Sequence, residues 1–104
     1  MNPLHSSFIE HQLSGRYICN THIEPLLSAY NTTVIGHSET GLPIYRICVG
    51  AGKTKVLMWS QMHGNESTTT KSVFDLLRFL QSDKSLLETL QLSIIPILNP
   101  CLLY

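Results

Sequence analysis

Apolar residues recur along the chain at two distinct periods, and these periods define its elements. Val73, Leu76, Leu77 and Leu80 stand at i, i+3, i+4 and i+7, with Phe74 and Phe79 widening the face. That spacing predicts an amphipathic helix over residues 68–81. Ile23, Leu26, Leu27 and Tyr30 predict a shorter helix from His22 to Tyr30, with Pro25 in its first turn. Thr33, Val34 and Ile35 favour a strand from Thr32 to Ser38, and Ile44, Tyr45, Ile47 and Val49 favour another from Pro43 to Val49. Ser38-Glu39-Thr40-Gly41 has turn chemistry, so the two read as an antiparallel hairpin. Lys55 to Ser60 reads as a third strand, its Val-Leu-Met-Trp run expected to be buried on both faces, with Met58 and Trp59 in the core. A short helical piece is expected at Ser85–Leu90. A fourth strand follows from Leu92 to Leu98, ended by Asn99-Pro100. Strand, helix, strand in that order implies a right-handed crossover and a parallel pair. The fold class is therefore α/β, a mixed β-sheet with flanking helices. Residues 1–14, polar and mixed, are expected to be a poorly ordered lead-in to a single domain over residues 15–104.

Composition narrows the function. The 104 residues suit one small domain. Only 13% are charged against 43% apolar, which excludes a disordered tail and suggests the inner part of a larger domain. Seven basic residues balance seven acidic ones, so no footprint for nucleic acid or anionic lipid is present. No apolar run is long enough to span a membrane. No basic start followed by an apolar core marks a signal peptide, and a cytoplasmic location is the expectation. Cys19, Cys48 and Cys101 are odd in number and widely spaced, and form neither a disulfide framework nor a zinc-binding Cys pair.

Two segments invite chemistry. Gly50-Ala51-Gly52-Lys53-Thr54 suggests a phosphate loop. That motif needs a glycine where Ile47 stands and a helix after the loop, whereas a strand follows here. A turn between strands explains the glycines better. His63-Gly64-Asn65-Glu66 lies between the third strand and the main helix, beyond a strand's carboxyl end, where ligands collect in α/β sheets. Imidazole nitrogen and carboxylate oxygen are both zinc donors. Two intervening residues, one of them the permissive Gly64, allow a tight bend. The spacing also fits a solvated loop whose Glu66 favours the helix N-terminus by its charge. His5, His11 and His22 read as surface residues, and His37 receives no role. Asp75, Asp83 and Glu88 read as solvated charges, and Ser67 to Thr70 as capping or packing.

Gly36-His37-Ser38-Glu39-Thr40-Gly41-Leu42-Pro43-Ile44, Val56 to Ser60, Gln61-Met62-His63-Gly64-Asn65-Glu66 and Leu98-Asn99-Pro100 together resemble the zinc carboxypeptidases of the carboxypeptidase A type, in order and approximate spacing. The resemblance covers about residues 33–100 and implies an α/β/α fold. It implies that His63 and Glu66 are the first two protein ligands of a catalytic zinc. It also implies a peptide substrate, a water activated by the metal, a glutamate base, and arginines on the substrate carboxylate. The family continues Asn-Pro-Asp-Gly, whereas Cys101-Leu102-Leu103-Tyr104 follow here. The third zinc ligand, the base and the arginine come later in the family's chain, and no residue here matches them. Residues 15–104 are therefore expected to be the N-terminal portion of such a domain, truncated and inactive alone.

Three further expectations follow. Cys101 follows the fourth strand, and a thiolate there could serve as a makeshift third ligand. The resemblance places the fourth strand centrally, so its far edge is expected to lack cover and to promote self-association. A zinc amidohydrolase of the aspartoacylase or succinylglutamate desuccinylase type and a non-catalytic remnant are the alternative functions.

Overall fold

The computed structural model describes residues 7–101. His5 and the start of the lead-in lie outside the described residues. Four strands, β1 (Asn31–His37), β2 (Pro43–Val49), β3 (Thr54–Trp59) and β4 (Leu90–Ile95), form one mixed sheet in the order β1-β2-β4-β3. The helices are α1 (Asn20–Leu27) and α2 (Thr68–Ser82), and a 3-10 turn at Ser85–Glu88 precedes β4. The first pair is antiparallel, as is β2 with β4, while β3 runs parallel to β4 from Thr54↔Leu90 to Trp59↔Ile95. The α/β class, the hairpin and the parallel pair stand as expected.

The core lies between the helices and one face of the sheet. From α2 come Val73, Phe74, Leu77 and Leu80, and from α1 Ile23, Leu26 and Leu27. They meet Ile47 of β2 and Leu92 and Ile94 of β4, with Val56 and Met58 of β3 packed alongside. A two-residue period thus governs the sheet, while a helical stripe covers it.

Several expectations are corrected. The first helix begins at Asn20, because Cys19 N–H donates to His22 Nδ1 at 2.9 Å and so starts the chain's coil earlier. Pro25 is therefore inside the helix rather than in its first turn. Residues 28–30 form i→i+3 turns instead of a last helical turn. β3 is not buried on both faces. Val56 and Met58 face the core, while Leu57 and Trp59 are 60% and 52% exposed on the other side. An edge strand of a sheet with helices on one face alternates in this way. β4 starts at Leu90 and ends before Pro96, which has no N–H to give to the ladder. Both of its edges are paired, so the expected bare edge of the fourth strand is not there. Open surface lies instead on the second face of the sheet, around Leu57 and Trp59. In the lead-in, Leu13 belongs to the core and Glu10 is buried, its N–H donating to Asp75 Oδ1 at 2.8 Å.

Gly50 and Gly52 form a tight turn and no phosphate loop. Gly50 has φ +83°, and a Cβ there would stand 2.4 Å from the Leu90 carbonyl oxygen. At Gly52 a Cβ would stand 2.0 Å from the Thr89 carbonyl carbon. The glycines let the turn lie directly against the start of β4.

Candidate metal loop and its support

The segment from Ser60 to Ser67 leaves β3 at its carboxyl end and delivers the chain to α2. Ser60 continues the parallel ladder, its N–H donating to Ile95 O at 3.0 Å. Leu98 N–H donates to Ser60 O at 2.9 Å and Asn99 N–H to Gln61 O at 3.0 Å. The loops after β3 and β4 are thus laced together just past the sheet.

Gln61 is the centre of the support. It is buried and has φ 53°, a conformation uncommon outside glycine. Its Nε2 donates to Ile18 O at 2.7 Å and to Gly64 O at 2.8 Å. Thr70 Oγ1 donates to its Oε1 at 2.7 Å. Ser60 Oγ donates to Pro96 O at 2.6 Å. Ser67 stands at the N-cap position of α2 but makes no cap. Its Oγ instead accepts from Ile18 N–H at 2.8 Å. The amide donors and acceptor of Gln61 are all used, so the loop is held by buried polar groups with partners.

His63 and Glu66 occupy one turn of this loop, closed by Glu66 N–H donating to His63 O at 3.0 Å. Both residues are exposed and Gly64 between them is buried. The tight bend expected from the spacing is present. Glu66 lines a cavity of about 490 Å³ with Arg16, Tyr17, Asn65, Ser67, Thr68 and Thr69.

In kind, an imidazole and a carboxylate fit zinc. In number they fall short, because protein zinc sites use at least three ligands. Among the described residues no three His, Cys, Asp or Glu side chains are grouped closely enough to hold a metal ion. Cys101 therefore does not join His63 and Glu66 as a third ligand. It lines a separate cavity of about 390 Å³ with Ser38, Glu39, Thr40, Ile44, Leu98, Asn99 and Pro100. His11 and His22 are exposed, as expected of surface residues, although His22 also serves the helix start, and His37 is exposed too. The supporting roles of Gln61, Ser60 and the strap through Ile18 were not read from the sequence, where Ser60 and Gln61 appear only as members of the motifs that carry the resemblance.

The family model for zinc carboxypeptidases matches residues 22–100, which include the hairpin, the His63–Glu66 loop and Asn99-Pro100. The match does not favour the amidohydrolase alternative. No curated protein matches the chain.

Proposed function

Because the chain belongs to the zinc carboxypeptidase family, we propose that it carries the first half of a metallopeptidase centre, with His63 and Glu66 as zinc ligands and a peptide as substrate. One observation supports the reading above the rest. The two residues share a single closed turn at the carboxyl end of a parallel strand, on a loop held by buried hydrogen bonds. Zinc, when bound, supplies Lewis-acid polarisation of a carbonyl and a more acidic water. The chain's own residues perform the holding. His63 and Glu66 donate nitrogen and oxygen, Gln61 and Thr70 fix the loop beneath them, and the cavity beside Glu66 offers room for a ligand.

Two protein ligands bind zinc more weakly than three. The 104-residue chain is therefore expected to take up zinc weakly and to release no C-terminal amino acid from peptides. Calorimetric zinc titration tests the ligand assignment. His63→Ala and Glu66→Gln should each weaken uptake by about tenfold or more. Equal uptake by parent and His63→Ala would remove the assignment. Amino-acid release by the purified chain would show that the missing groups are supplied in another way.

A further inference from the structure

We propose that Arg16 is a specificity-determining residue, receiving a carboxylate group of a peptide ligand in the cavity beside Glu66. As a statement about catalysis this rests on the peptidase reading above; as a statement about binding it does not. The argument starts from the strap that carries Arg16. Two residues downstream, Ile18 is buried, and both polar groups of its backbone are used. Its N–H donates to Ser67 Oγ at 2.8 Å, and its carbonyl accepts from Gln61 Nε2 at 2.7 Å. Gln61 precedes the His63–Glu66 turn and Ser67 follows it. The strap is thus tied to both ends of the loop, and Arg16 becomes a wall of the same cavity as Glu66 and Asn65.

Arg16 is the cationic member of that wall. Its guanidinium carbon lies 5.3 Å from the centre of the Tyr17 ring. Stacking on a ring steadies the guanidinium plane and leaves its edge N–H groups for a ligand. Among the described residues no ion pair engages Arg16, although Glu66 lines the same cavity. A planar fork of donors matches a carboxylate, which it takes by two parallel hydrogen bonds. Asn65, Thr68 and Thr69 add neutral polar groups around it. The charge of Glu66 opposes an anion here until a cation neutralises it. Cation binding at Glu66 and carboxylate binding at Arg16 should therefore help one another, by the same factor in both directions.

The source of the carboxylate, an acidic side chain or a chain terminus, is separated by three probes: acetyl-glutamate amide, acetyl-glutamine and acetyl-glutamine amide. Each is titrated into the ¹⁵N-labelled 104-residue chain carrying Glu66→Gln, which removes the opposing charge without any metal. At least one of the two anionic probes should bind saturably and shift signals of residues 16, 17 and 65–69, and the neutral probe should not. Arg16→Gln in the same background should weaken that binding by about tenfold, and Arg16→Lys by less. Which anionic probe binds names the source. Unchanged binding in Arg16→Gln, equal binding of the neutral probe, or no binding of any probe overturns the proposal. Arg16 is exposed, so its variants should keep the remaining spectrum, which serves as the folding control. Failure of the peptidase reading appears elsewhere, as zinc uptake indifferent to His63→Ala, and leaves this titration unaffected.

Discussion

A single side-chain amide, that of Gln61, joins three parts of the molecule: the strap at Ile18, the turn at Gly64 and helix α2 at Thr70. Removing it takes one hydrogen-bond partner from each of three buried groups, the Ile18 and Gly64 carbonyls and the Thr70 hydroxyl, the last of which keeps Pro96 O at 3.0 Å. Each such group costs about 1–3 kcal/mol, and partial relaxation lowers the sum, so Gln61→Ala should lose roughly 2–4 kcal/mol in urea unfolding. The sequence does not disclose this role. An uncharged polar residue between Ser60 and Met62 resembles any loop position, and its partners at Ile18 and Thr70 are distant in the chain. His63 and Glu66, the proposed ligands, could be singled out in the sequence for the opposite reason, since their spacing is local and their donor types are few. A second prediction concerns Tyr45, whose hydroxyl donates to Glu24 Oε2. The bond to Glu24 chiefly, and then burial, pushes its pKa from 10.0 up to about 12. The folded value exceeds the unfolded one. The resulting stabilisation is complete below pH 10 and is lost as pH rises from there through about 12. Ultraviolet titration should show the last-titrating tyrosine disappear in Tyr45→Phe, and that variant should lose less stability over this alkaline range than the parent.

Among the elements, β2 was read from Pro43 to Val49 as it stands, and α2 to within a residue. Both have a strong period and clear ends. β3 was misread because a run such as Val56-Leu57-Met58-Trp59 has no polar alternation. Only the neighbouring layers decide whether the second face is covered. The start of α1 was missed because Cys19 and His22 are not the usual capping pair. At the turn before β3 the reading held and can be tested. Gly50→Ala would combine a left-handed backbone with a Cβ pressed on the Leu90 carbonyl. It should lose roughly 2–4 kcal/mol by thermal or chemical unfolding, the combined effect of strain and overpacking.

For the whole molecule, the decisive feature is a sheet packed by helices on one face. The opposite face carries Leu57 and Trp59 in the open, and exposed apolar surface of this kind promotes association. The chain is expected to self-associate through this face, where sequence reasoning placed the tendency on an edge. Sedimentation at several concentrations should show the association fall in the double variant Leu57→Lys, Trp59→Lys, with the circular dichroism unchanged. Unchanged association in that variant would assign it to another surface. The β1 edge offers less. β1 slips register between Val34 and Gly36, and a bulge there interrupts the regular template an incoming strand would need.

The parallel pairing of β3 with β4 also sets an order of events during folding. Ser60 reaches Pro96 across 36 residues, and Ile18 reaches Ser67 across 49. Such contacts form only after a long loop has closed, and the first of these loops contains α2. The turn bearing His63 and Glu66 therefore matures after the chain has collapsed, not before. A divalent ion bound as proposed would meet a finished cradle and not nucleate one, so refolding should run at the same rate with zinc or with a chelator.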